Sequence, residues 1–97
     1  MLNNVSAWRG SSGLQIDLVI DRSDRIIHLC EMKFSREAYE ISRDYEERLR
    51  EKAAAFRSET KTRKALLTTF ITTYGVKRNL HAGIVHDEVT MDDLFSV

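Results

Sequence analysis

The stretch "GLQIDLVIDRSDRIIHLCEMKF", residues 13–34, decides the fold. Two apolar runs flank the turn-forming "RSDR", so the segment reads as a β-hairpin. Its register determines which side chains share a face. With an even loop Asp21 would oppose Ile26, and both faces would mix charged and apolar residues. With Ser23-Asp24-Arg25 as a three-residue loop, the pattern separates. One face then carries Ile16, Leu18, Ile20, Ile26, His28, Cys30, Met32 and Phe34. The other gathers Gln15, Asp17, Glu31 and Lys33 at one end, with Val19, Ile27 and Leu29 behind them. Burial specifies register strongly, so the odd loop or an equivalent bulge is expected. The first face is the expected core, with His28 a hydrogen-bonded buried histidine and Cys30 a small apolar filler.

Outward from the hairpin, the polar start holds Gly10-Ser-Ser-Gly13, a turn, and before it Leu2, Val5, Ala7 and Trp8 suit a short strand with Trp8 in the core. After it, Ala38, Ile41, Tyr45, Leu49, Ala53 and Phe56 recur at spacings of three and four. They predict an amphipathic helix over about residues 36–58, with Ser35 as N-cap and the charged "RDYEERLREK" as a solvated face. "ALLTTFITTY" is rich in β-branched and aromatic residues and predicts a strand that Gly75 stops. "AGIVHDEV" predicts another. Thr90-Met-Asp-Asp93 resembles a capping box that opens a short last helix. The predicted order is β-β-β-α-β-β-α, an α/β architecture of a mixed sheet flanked by helices.

Composition narrows the class. At 97 residues, 42% of them hydrophobic and 31% charged, the chain supports one globular domain spanning residues 1–97. Fifteen basic residues balance fifteen acidic ones, so no global positive field announces a nucleic-acid partner, and any such contact must be local. Arg57, Lys61, Arg63, Lys64, Lys77 and Arg78 would supply it at one sheet edge, or are simply a solvated helix end and loop. One cysteine allows no internal disulfide, and no apolar run is long enough to span a bilayer, so a cytoplasmic location and no membrane partner are expected. His81 and His86, with Asp87 and Glu88, match no zinc spacing.

In the odd-loop register Asp17 opposes Glu31 and Gln15 opposes Lys33, with Cβ atoms of opposed residues about 5 Å apart. Two carboxylates that close repel unless a cation lies between them. A hard divalent ion, Mg2+ or Mn2+, suits the place, because it accepts one or two carboxylates and completes its shell with water and phosphate oxygens. Lys33 would then orient the attacking water or stabilise charge on phosphorus, and Gln15 would position the scissile phosphate. That chemistry is phosphodiester hydrolysis. The alternative is an exposed cross-strand cluster of charges with no function.

These residues resemble the PD-(D/E)xK, or restriction-endonuclease-like, superfamily, whose pattern is an acid on one hairpin strand, here Asp17, and acid-x-Lys on the next, here Glu31-Met32-Lys33. Ile16 stands where that pattern often has proline, and residues 1–16 carry no acid, so the superfamily's first helix and its carboxylate have no counterpart. "GLQIDLVIDRSDRIIHLCEMKFS", the tyrosine-bearing helix and "KALLTTFITTYGVKRN" look like the C-terminal nuclease-like domain of a group of prokaryotic P-loop ATPases. The resemblance implies a Mg2+-dependent, DNA-cleaving domain with Asp17 and Glu31 as metal ligands and Gln15 and Lys33 completing the catalytic set. Alternatively it implies a catalytically degenerate interaction or regulatory tail, belonging in either case to a longer ATPase. An absent first helix would leave apolar sheet surface to cover, so a homodimer is also expected.

Overall fold

The computed structural model describes residues 3–95; Met1, Leu2, Ser96 and Val97 lie outside it, and with them the expected role of Leu2. Five strands, β1 (Asn3–Arg9), β2 (Gln15–Arg22), β3 (Ile26–Lys33), β4 (Ala65–Thr72) and β5 (Asp87–Thr90), form one sheet in that order. Helix α1 (Arg43–Thr60) links β3 to β4, and α2 (Met91–Phe95) follows β5. The first three strands are antiparallel, while β3, β4 and β5 run parallel, which a hairpin cannot connect and a crossover such as α1 can. The chain is therefore α/β with a mixed sheet, in the element order that the sequence predicts.

The hairpin register is the odd one. Leu18 opposes Cys30 and Asp21 opposes Ile27, leaving Ser23, Asp24 and Arg25 as the loop. Arg25 closes it in the left-handed conformation at φ 71°, the geometry a three-residue hairpin loop requires. A β-bulge is present as well, on the other edge of β2. Ser6 opposes Val19 but Trp8 opposes Ile16, so three steps along β2 match two along β1.

The bulge and the helix reverse the expected faces. Core residues lie on the face predicted to hold the charged cluster: Val19, Ile27 and Leu29 pack with Phe56 of α1, and Ile16 joins them because the bulge turns it over. Trp8 meets Phe56 edge to face at a 5.3 Å centroid separation, as its expected core role requires. The other face is half open. Its Met32 is 38% exposed and Phe34 beyond it 63%, although His28 and Cys30 are buried there. Alternation alone could not choose between two faces that are both largely apolar; α1 chooses.

Helix α1 begins seven residues later than its periodicity predicts. Residues 35–41 are non-helical instead, bending at Arg36 and Glu37 and bridging at Tyr39, where Tyr39 N–H donates to Gly75 O (2.9 Å) and Lys77 N–H to Tyr39 O (2.8 Å). Ile41 is completely buried, and Ser42 rather than Ser35 is the N-cap, its Oγ accepting from Tyr45 N–H at 3.1 Å. Two backbone bonds to the segment after β4 and a buried isoleucine outweigh two extra helical turns. Tyr45 and Leu49 face a second core cluster with Phe70, and Ala53 and Phe56 face the first. The expected strand at residues 82–89 is shorter too: Ala82–Ile84 is a 3-10 turn that puts Ala82 and Ile84 into the core, and β5 starts only at Asp87. The capping box is present as predicted. Thr90 N–H donates to Asp93 Oδ2 (2.9 Å), and Asp93 N–H donates to Thr90 Oγ1 (3.3 Å).

Candidate functional site

Glu31 and Lys33 leave the C-terminal end of β3 on the helix side of the sheet. Glu31 is only 3% exposed, and its Oε1 accepts two hydrogen bonds, from the Tyr45 hydroxyl at 2.7 Å and from Lys52 Nζ at 2.8 Å. Both donors come from α1. Lys33 Nζ stands over the Tyr45 ring, 4.9 Å from its centroid, and 5.7 Å from that of Tyr39. Face-on placement against two electron-rich rings holds an ammonium that pairs with no carboxylate among the described residues. Beneath them Tyr39, Tyr45 and Phe70 form an aromatic triad with centroids 6.0–6.2 Å apart, Phe70 sitting directly beside Glu31 on β4.

Tyr45 is a donor here. Burial pushes the Tyr45 hydroxyl far up from its ordinary value, its hydrogen bond to Glu31 adds to this, and the charges of Glu31 and Asp17 add more. Burial, then Glu31, raises Tyr39 in the same direction. Neither phenol serves as a base near neutral pH, and Tyr45 keeps its proton on Glu31.

Asp17 approaches differently from its expected place. The β2–β3 ladder ends at Leu18 and Cys30, one pair short of Asp17 and Glu31, and Asp17 Oδ2 accepts from the backbone N–H of Met32 at 2.9 Å. The carboxylate thus splints the hairpin where the bulge opens it. Met32 lies between Glu31 and Lys33, so Asp17 reaches the same end of β3. Gln15 is not part of this group. It opposes Arg9 on β1, with its amide oxygen within reach of the Arg9 guanidinium, and it lines with Asp17 a concavity of about 370 Å3 on that side of β2.

Lys52 escapes a reading of the sequence that counts "RDYEERLREK" as a solvated face. The signal was there. Tyr45, Leu49, Lys52 and Phe56 follow one another at four, three and four residues, so the lysine lies on the apolar stripe, where a cation needs a buried partner. Lys77 and Arg78 belong to the opposite end of β4 from Arg57, Lys61, Arg63 and Lys64, so these six do not form one edge. The histidines take structural roles. His81 Nδ1 lies 2.9 Å from Glu46 Oε1, and that hydrogen bond is the main cause holding the Glu46 carboxyl below its ordinary range. His86 Nδ1 accepts from Thr68 N–H.

On the other face Cys30 and His28 take the parts the sequence assigns them. His28 Nδ1 is 2.9 Å from Thr69 Oγ1 and its Nε2 is 3.2 Å from Arg22. Burial, with Glu31 and Asp87 contributing, pushes the Cys30 thiol up from 9.0 to about 11. Its contribution to stability is therefore fully present below pH 9.0 and lost as pH rises through about 11, because the unfolded chain ionises first. The gap corresponds to about 3 kcal/mol. Urea midpoints from pH 8 to 11 are expected to fall more steeply for the wild type than for Cys30→Ala, and parallel curves would contradict this.

No family model matches the chain, and no curated protein and no solved structure shows significant similarity to it. No helix among the described residues is long and apolar enough to cross a membrane. The class defined by fold and site is thus a small α/β domain whose mixed sheet presents a buried, lysine-held glutamate beside a ring-held lysine.

Proposed function

We propose that this domain is a divalent-metal-dependent phosphodiesterase acting on DNA, with the restriction-endonuclease-like fold and with Asp17, Glu31 and Lys33 as its working groups. The observation that carries the reading is the Glu31–Lys33 pair at the end of β3, with Asp17 holding the backbone N–H of Met32 between them. Among the described residues no group of three or more acids, histidines or cysteines is arranged to hold a metal. The donor set fits a hard ion nonetheless: Mg2+ needs only one or two carboxylates, and Oδ1 of Asp17 and Oε2 of Glu31 make no hydrogen bond among the described residues. When bound, the ion would polarise the phosphate and acidify a water. Lys33, oriented by the two rings, meets the negative charge that grows on the phosphate oxygens. Tyr45 and Lys52 fix the rotamer of Glu31. Gln15, directed toward Arg9, would touch substrate only on the β1 side.

The test is Mg2+-dependent cleavage of plasmid DNA, together with Mn2+ titration by calorimetry. Glu31→Gln, which preserves shape, is expected to lose metal binding and cleavage, and Lys33→Ala to lose cleavage while still binding Mn2+. If both variants cut like the parent, the assignment is wrong.

The Lys52 contact also favours a second reading, a nuclease-fold domain that serves as the interaction or regulatory tail of a P-loop ATPase. An ammonium 2.8 Å from Glu31 already supplies the counter-charge a metal would bring. Under that reading millimolar Mn2+ does not bind the folded wild type.

A further inference from the structure

The N-terminal ends of β3 and β4 lie side by side, at the opposite end of the sheet from Glu31. There the hairpin loop meets the connection from α1 to β4 around a concavity of about 460 Å3 lined by Arg25, Thr62, Arg63 and Lys64. The connection is held in shape from beneath. Arg57 donates to Thr62 O (3.0 Å) and Lys64 O (3.2 Å), Thr62 Oγ1 accepts from Lys64 N–H, and Ala65 N–H donates to Arg25 O. Lys64 is tied to Asp21 and to Arg22 O, and Arg22 to Asp24, so the two acids of this end are already paired. Glu59 is turned to the backbone of Ser11. Arg25, Lys61 and Arg63 are exposed and make no ion pair among the described residues.

Arginines without an ion pair among the described residues, at the mouth of a braced concavity in a chain whose total charge is zero, constitute a local positive field that attracts anions. The guanidinium fork matches phosphate oxygens, and a floor fixed by Arg57 lowers the ordering cost of binding. We propose that this concavity docks the phosphodiester backbone of nucleic acid, with Arg25 and Arg63 as the phosphate contacts. The choice of nucleic acid among polyanions rests on the phosphodiesterase reading of the Glu31 site; the charge and shape do not. Arg25 lies six residue steps from Glu31 along β3, about 20 Å at roughly 3.3 Å per step, which equals about six nucleotides of one duplex strand. The concavity would hold a strand at that distance from the carboxylates.

The experiment is fluorescence anisotropy of a labelled DNA duplex with the wild-type chain in EDTA, so that binding is read without metal or cleavage. Arg25→Gln/Arg63→Gln is expected to weaken binding about tenfold at 50 mM salt and to lower the slope of log K against log salt by about 2. Arg43→Gln/Arg48→Gln, which removes the same charge from the far end of α1, is the control and is expected to change affinity less than about twofold. Equal losses in both variants, no loss in the first, or no duplex binding by the wild type would overturn the proposal. Tripolyphosphate binding without duplex binding would likewise overturn the assignment to nucleic acid. Absence of cleavage in a separate Mg2+ assay would count against the Glu31 reading and leave this result standing.

Discussion

Lys52→Met is expected to destabilise the domain by about 3–5 kcal/mol, read from urea unfolding at pH 7. The side chains of Lys52 and Glu31 are 13% and 4% exposed. Removing the ammonium leaves a carboxylate inside the protein with one neutral donor, Tyr45, and no ion-pair partner among the described residues. Glu31→Gln should cost less, because a stranded lysine can extend its long stem toward water, whereas a glutamate on β3 cannot. The double variant, Glu31→Gln/Lys52→Met, should be more stable than the sum of the single losses predicts, by about 1–3 kcal/mol of coupling. Additive losses would mean that the two groups do not act as a pair. A domain of this size has about 5–15 kcal/mol in total, so the single change at Lys52 is a large share of it. The same cycle informs the functional reading: Mn2+ that binds Glu31 should restore part of the stability lost in Lys52→Met, since it replaces the missing positive charge.

The hairpin was legible because its two runs separate into clean faces in only one register, and Arg25 accepts the left-handed turn that this register needs. The capping box at Thr90 and Asp93 was legible because its partners are three residues apart. Long-range matters were not. Ala38 and Ile41 have helical spacing, yet Tyr39 pairs with Val76, 37 residues on, and no local pattern announces that bridge. The buried face of the hairpin depended on where α1 lands, and the turnover of Ile16 on a bulge against β1. Glu31 and Lys33 were singled out correctly as neighbours on one face, but their surroundings were misjudged. The carboxylate expected to face Asp17 is held by Tyr45 and Lys52 from α1, and Asp17 is engaged by the backbone of Met32. Gln15 was assigned by register alone, and the ladder ends before it reaches Lys33.

Phe70→Ala is the other change expected to approach the unfolding limit, at about 3–5 kcal/mol. Phe70 is completely buried on β4, beside Glu31 and in contact with both rings of the triad. Truncation removes its transfer free energy and leaves a cavity that a parallel strand pair and a capped helix cannot close fully. The effect should reach the site as well. Tyr45 meets Phe70 edge to face at 82°, and the hydroxyl of that same tyrosine holds Glu31 while its ring carries Lys33. Phe70→Leu, which retains most of the volume, separates the two consequences. It is expected to keep most of the stability but to loosen Tyr45, seen as a faster flip of the Tyr45 ring in NMR spectra. If Phe70→Leu leaves the ring as ordered as in the wild type, then Tyr45 is positioned by Glu31 and α1 alone, and the aromatic floor contributes only to the core.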